Sequence, residues 1–380
     1  MTGVATNEGQ LILDSHKLSY HFDRVESWDC GERIAPVSVD MALTRACGSM
    51  CSFCYATMQE SQVRSSIKTD VAIALADDFA EIGVRSVSLV SDGESTLSKA
   101  YIPFIQHATS LGIDVGNATN GWEWGPEKIE EVLPHLKWVR FTVAAGVPES
   151  YAKYMYKGPE HTEVFDRAMR NIRYAVALKE RLNLPVTLGI QMVLMPNMEG
   201  EIIPFAKLGI DLGVDYAVIK HCSDDENGTL GIDYESYASM YPQLRSAEML
   251  SNQRTKVIVK WSKLKDGSDT PYNRCHGPQF LLQISGSGLV APSGMFFNSR
   301  YSKLHIGNYT EERFIDIFKS NRYWRAMDYL TSPSFDAQTM MGTLPIQHYV
   351  NVALDEHVKG IKKLSPADPQ VPLPLHHYFL

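Results

Sequence analysis

The chain has 380 residues, 44% of them apolar and 21% charged, with a formal net charge of -8. Such a composition suits an ordinary globular protein with a sizeable core, built as one large or two modest domains. The negative charge disfavours nucleic acid and anionic membrane as partners, and no apolar run reaches the length of a membrane helix.

Six cysteines occur: Cys30, Cys47, Cys51, Cys54, Cys222 and Cys275. Three crowd into one stretch and three are scattered, which is not a disulfide framework. Residues 1–10 are polar, lack the apolar core of a signal peptide and read as a mobile tail. A reducing cytoplasm is the expected location. Residues 11–35 mix short apolar and charged pieces and read as an N-terminal extension that packs on the domain beginning at Pro36.

From Pro36 to Leu43 apolar and polar residues alternate, the period of a strand. Directly after it comes Cys47-Gly48-Ser49-Met50-Cys51-Ser52-Phe53-Cys54. The thiols thus sit on a loop leaving a strand end, where ligand-binding loops gather in α/β folds. Thiolates select zinc, copper(I) or iron–sulfur. A closed zinc site wants four ligands, and no fourth Cys or His lies within thirteen residues on either side. Three thiolates suit a [4Fe–4S] cube that keeps one iron open.

An alternation of helices and strands continues from there. Helices are expected over 70–82 (Asp70 as N-cap), 101–111, 126–136, 164–182 and 203–212. Strands are expected over 85–90, 113–119, 138–144, 185–194 and 216–220. Six βα repeats imply a parallel sheet with right-handed crossovers and function at the carboxyl ends of the strands. Beyond Cys222 the pattern changes to a helix over 234–250, a strand over 256–261, a hairpin over 280–291 and helices over 312–329 and 348–361. Residues 365–380 hold four prolines and end in an apolar segment, His376-His377-Tyr378-Phe379-Leu380, suited to docking. The His pair reads as docked or surface, not as a metal site.

The CxxxCxxC pattern, with Phe53 before its last cysteine, resembles the radical S-adenosylmethionine (radical SAM) superfamily. That resemblance implies an α/β fold, a partial (β/α)6 barrel over 36–222, with an extension over 1–35, a smaller α+β domain over 223–364 and a tail over 365–380. It implies one [4Fe–4S] cluster on Cys47, Cys51 and Cys54, whose open iron chelates the amino and carboxylate groups of SAM. An external donor such as flavodoxin or ferredoxin reduces the cluster, a carbon–sulfur bond breaks, and a 5′-deoxyadenosyl radical takes hydrogen from substrate.

Further motifs fall in register. Ser91-Asp92-Gly93-Glu94-Ser95-Thr96 stands where the family has a Gly-Gly-Glu-Pro-like segment that holds the SAM ammonium. Asp92 replaces the first Gly and Ser95 the Pro, while Gly93 and the acceptor Glu94 are kept. Asn120 lies in a Thr-Asn-Gly run near the SAM pocket. Thr142 matches a position that meets the ribose or carboxylate. Gln191 and Met195 match the segment framing adenine, and Phe53 and Tyr55 flank the last cluster cysteine. Lys220, His221 and Asp224 leave the sixth strand at the open mouth, as candidates to face substrate. A nucleophile pair of His221 with Cys222 is disfavoured, because neighbours on a strand point to opposite faces.

Residues 274–294 resemble the opening of a SPASM domain, whose cysteines hold auxiliary clusters. Cys275 matches its first ligand, Ser293 stands at the next, and the 340–345 stretch holds no cysteine. Cys275 is then a relic or a hydrogen-atom donor. The resemblance implies a radical SAM enzyme acting on a small polar substrate, sugar or nucleoside in type. The outcome is expected to be redox-neutral: epimerisation, elimination, rearrangement or decarboxylation. Modification of a ribosomal peptide, and a non-catalytic scaffold, are the alternatives.

Overall fold

The structure is a computed structural model that describes residues 4–6, 9–59, 65–156, 158, 160–343 and 345–380. Its centre is a ten-stranded sheet. The strands are β1 Ser38–Met41, β2 Ser86–Leu89, β3 Asp114–Thr119, β4 Leu136–Thr142 and β5 Thr187–Leu194. They continue as β6 Tyr216–His221, β7 Lys256–Val259, β8 Leu281–Ile284, β9 Leu289–Ala291 and β10 Gly307–Asn308. Their order across the sheet is β10-β9-β8-β1-β2-β3-β4-β5-β6-β7. From β8 to β7 all neighbours are parallel, while β9 pairs antiparallel with both β8 and β10 and so runs against the rest of this sheet.

The six strands expected from the sequence are all present. The sheet does not stop at residue 222, however. β7 adds a strand beyond β6, and the hairpin β8–β9 pairs onto the free edge of β1. The helices α1 Thr69–Ile82, α2 Tyr101–Ser110, α3 Pro126–Val132, α4 Thr162–Leu182 and α5 Ile202–Leu212 follow β1 to β5 in turn.

Side chains alternate along each strand, so every strand has two faces. Val39, Val87, Val115, Val139, Ile190 and Ile219 join the core under the helices. The opposite face lines the barrel lumen and carries Asp40, Ser88, Arg140, Gln191 and Lys220, which share its parity in the ladders.

Some boundaries differ from the sequence reading. α1 starts at Thr69 behind Lys68, with no side-chain cap. Asp70 lies in its first turn, where an acid favours the helix dipole without capping. The helix expected over 312–329 is two, broken at Ser320, whose hydroxyl accepts from the Tyr323 amide at 3.2 Å. Val4–Thr6 and Gly9–Leu11 pair as a hairpin instead of a mobile tail; residues 1–3, 7 and 8 lie outside the described residues.

Both chain ends close the amino ends of the barrel strands. Leu11 packs on Tyr216, Val218 and Ile258 in the lumen, with Leu375 against it. Phe379 meets the Trp138 ring edge-on at 5.6 Å, and Ser86 Oγ donates to the Tyr378 carbonyl at 2.8 Å. Buried Lys17 donates to the carbonyls of His376 (3.0 Å) and Phe379. His376 Nε2 sits 2.7 Å from Thr187 Oγ1, and His21 Nε2 lies 2.8 Å from the His377 carbonyl. The terminal His pair is docked, as its apolar surroundings suggested.

Candidate functional site

The cysteine loop leaves β1 at the carboxyl end of the barrel. Its base is wedged between two glycines. A Cβ on Gly93 would fall 1.9 Å from the Thr44 carbonyl oxygen, and one on Gly286 would fall 2.3 Å from the Thr44 carbonyl carbon. Only glycine lets the three backbones meet there. Asp92 binds the same knot: its carboxylate accepts from Ser285 Oγ (2.6 Å) and the Gly286 amide (2.8 Å) and pairs with Arg45 at 3.1 Å. The departure from the family's glycine thus ties the β8–β9 turn to the root of the cysteine loop.

Further out, the loop runs along the end of a helix that the sequence reading did not anticipate, Pro148–Tyr156. The Met50 amide donates to the Met155 carbonyl (2.8 Å) and the Ser52 amide to the Tyr154 carbonyl (2.9 Å). On the other side, Asn120 Nδ2 donates to Ser49 Oγ at 3.3 Å.

Cys47, Cys51 and Cys54 are partly buried and form no disulfide among the described residues. Burial, with the Glu94 carboxylate and the Cys54 thiol, pushes the Cys47 thiol up to about 12. Burial and the other two thiols raise Cys51 well above its ordinary value. Three thiols that repel each other's charge become thiolates only around a positive centre. Among the described residues no three His, Cys, Asp or Glu side chains crowd around a single-ion position. A cube asks for less crowding, because each thiolate binds a different iron. The donor set fits a [4Fe–4S] cluster.

Beside the loop stands Glu94, at 3% exposure. Its Oε1 accepts from Thr96 N (3.3 Å), Thr96 Oγ1 (2.7 Å) and Thr119 Oγ1 (2.9 Å), and its Oε2 from Asn120 N (2.7 Å). Burial pushes its pKa up against these bonds. Oε2 carries a single donor and keeps a lone pair for another. Across the lumen, Thr142 and Gln191 are register partners on β4 and β5. Gln191 Oε1 is buried with no partner, so a polar ligand is needed to satisfy it. These groups fit SAM.

The sequence profile of the Radical SAM superfamily matches residues 41–208. Residues 41–208 are a radical SAM domain. The cofactors of that family are SAM and a [4Fe–4S] cluster. The sporulation killing factor maturation protein SkfB of Bacillus subtilis is 33% identical over 101 residues, 27% of this chain and 24% of that protein. The match therefore spans less than two thirds of that relative's length. An AdoMet-dependent heme synthase of Methanosarcina barkeri is 22% identical over 307 residues, 77% of this chain and 85% of that protein. SuiB of Streptococcus suis, in a crystal structure with precursor peptide SuiA, shares the fold. Its TM-score is 0.59 at 14% identity, covering 91% of this chain and 79% of that one.

Around the radical SAM domain the other expected residues scatter. Phe53 packs on the core, and its carbonyl lies 4.0 Å from Cys222 Sγ. Met195 Sδ is 3.5 Å from Ser52 Oγ, at the loop. Tyr55 leans on the C-terminal region: a Cβ on Gly294 would come 3.0 Å from its hydroxyl. Lys220 lies on the lumen face of β6. His221 turns the opposite way, between Tyr234 and Tyr237, with ring centroids 5.4 and 5.8 Å away. Burial pushes His221 down to about 3.

Asp224 is occupied as a loop staple. Its carboxylate accepts from the amides of Asp225 (2.8 Å), Leu230 (2.9 Å) and Ile232 (3.4 Å). Cys275 is buried, with its amide on the Leu330 carbonyl and its thiol pushed up to about 12 by burial. Cys222, discounted on sequence, has a thiol that feels the charge of Cys54 and Lys220. Ser293 is buried, donating to Gln283 Oε1 at 3.3 Å. The sequence reading missed Arg140 and Lys260. Their shared parity with Lys220 was the available signal.

Proposed function

We propose that this chain is a radical SAM enzyme that takes a hydrogen atom from a small polar substrate and returns a redox-neutral product. The observation that carries the reading is the set of three partly buried thiols on one loop, beside Glu94 and Asn120, at the carboxyl mouth of the barrel. When bound, a cluster and SAM supply reductive cleavage of SAM and a 5′-deoxyadenosyl radical.

The chain's own part is holding and shielding. Cys47, Cys51 and Cys54 hold iron. Glu94, fixed by Thr96, Thr119 and Asn120, offers Oε2 to the SAM ammonium, and Gly93 keeps the backbone close enough to do so. Gln191 and Thr142 offer polar atoms from the lumen wall, with Phe53 and Met195 as the apolar frame. An external donor of the flavodoxin or ferredoxin type supplies the electron. Residues 223–364 are read as a degenerate SPASM-like region. Ser293 and the cysteine-free 340–345 stretch favour a substrate radical that fragments, rearranges or is quenched by a hydrogen donor.

A second reading, modification of a ribosomal peptide, is favoured by the peptide-linked names of SkfB and SuiB. Incubating the protein with a leader-type peptide and measuring binding separates the two.

The test of the main reading is anaerobic reconstitution followed by assay for 5′-deoxyadenosine. Wild type is expected to cleave SAM under a strong reductant, and Cys51→Ser to lose both cluster and cleavage while staying folded. Cleavage by the purified variant at the wild-type rate overturns it.

A further inference from the structure

Three cations face the barrel lumen, and none of their side chains has a hydrogen-bond or ion-pair partner among the described residues. Arg140, Lys220 and Lys260 stand on β4, on β6 and just past β7. The Lys260 amide still donates to the Ile219 carbonyl at 2.9 Å, which keeps it in the ladder. Each stands two residues beyond an apolar residue on its own strand: Trp138, Val218 or Ile258. Residues two apart on a strand share a face, so all three side chains belong to the lumen face. In the ladder Thr142, Gln191, Val218 and Ile258 share one rung, with Arg140 one rung below it and Lys220 and Lys260 one rung above.

The nearby acids do not neutralise these cations. Asp14 is spent on the Ser262 amide (3.1 Å), Ser262 Oγ (2.5 Å) and Tyr349 Oη (2.6 Å). Asp40 faces Arg140 but is 4% exposed, and burial pushes it up to about 7. Arg140 Nε is buried without an acceptor, and its guanidinium carbon lies 5.5 Å from the centre of the Trp138 ring. Lys260 Nζ has only the Tyr349 ring, at 5.8 Å. Burial, with the neighbouring cations, pushes Lys220 down to about 8 and Lys260 down to about 7. Lys263 adds to the same field.

Like charges gathered out of water without counter-charge are costly, and such groups are retained where a ligand completes them. We infer that Arg140, Lys220 and Lys260 form an oxyanion subsite in the barrel lumen that takes a carboxylate or phosphate group of the substrate. This rests on the reading above that SAM and substrate meet at the carboxyl mouth. It narrows that substrate to one carrying a negative group. The guanidinium offers a planar fork for two oxygens, and the lysines offer point charges.

The test is thermal unfolding of the reconstituted full chain in phosphate, in citrate and in chloride at matched ionic strength, with and without SAM. Phosphate or citrate is expected to raise the midpoint over chloride, and to do so with SAM bound. The better of the two identifies the group. Arg140→Met, Lys220→Met and Lys260→Met are each expected to weaken this protection about tenfold or more. Exposed Lys363→Met leaves it unchanged. Equal midpoints in all three salts, or equal protection in the lumen variants, overturns the subsite. Protection that vanishes when SAM is added also overturns it, because SAM's own carboxylate is then the occupant. Anion protection without SAM cleavage keeps the subsite and rejects the proposed function; cleavage without protection does the reverse.

Discussion

The two ends of the barrel treat buried charge in opposite ways. At the amino end, Lys17 is buried and pushed down to about 7, yet two backbone carbonyls receive its protons. At the carboxyl side, Lys260 is pushed down to about 7 as well, and among the described residues no carbonyl or carboxylate hydrogen-bonds it. One lysine is satisfied by the fold, and the other waits for something outside it. The same contrast separates Ser86 and His376, which bind the docked tail, from Gln191, whose buried oxygen is bare. Groups left unsatisfied in a structure that satisfies their counterparts mark where stability has been exchanged for binding.

That contrast can be broken in several ways. The largest effect is expected at the open end: Cys47→Ala, Cys51→Ala and Cys54→Ala together should remove essentially all of the about four irons per reconstituted chain. Iron analysis and EPR check it. A residual cluster signal would show that other residues hold one. At the closed end, Phe379→Ala should cost about 3 kcal/mol of stability through the cavity it leaves on Trp138. Iron content per folded chain should not change.

The sharpest comparison sets the two lysines against each other. Lys17→Met leaves two carbonyls without donors and should cost about 2 kcal/mol. Lys260→Met removes an unpaired cation and should add about 1 kcal/mol. Chemical unfolding reads both, and equal signs would erase the distinction between the two ends. The smallest effect is on pH dependence. Both lysines titrate lower in the fold than in the unfolded chain, so unfolded protein binds more protons between about pH 7 and pH 10. Stability therefore rises with pH through that window. Lys260→Met should flatten the rise, with Lys17 and Lys220 still contributing to it.

Much of this was legible in the chain itself. Local signals carried the six βα units, because strand and helix periods are written in neighbouring residues. The cysteine loop was legible because its three ligands lie within eight residues. What stayed hidden depends on pairing across long separations. The partnership of β8 with β1 joins Leu281 to Ser38, and no local pattern announces it. Asp92 read as a departure from a motif, because its partners Ser285 and Gly286 come from that distant hairpin. Arg140 read as one residue of a strand until the lumen brought Lys220 and Lys260 to it. His221 and Asp224 were proposed from their place in the chain, while the fold commits one to an aromatic cleft and the other to backbone amides.

The knot of Thr44, Arg45, Gly93, Asp92 and Gly286 also sets an order of events. A ribosome finishes the thiol loop long before it reaches the hairpin that clamps the loop's root. Until β8 docks on β1, Asp92 lacks its serine and amide partners, and Thr44 is held from one side only. The root of the loop is thereby completed late, after most of the chain has emerged. A nascent chain halted at residue 222 would carry all three thiols and lack the clamp that the last third of the chain supplies.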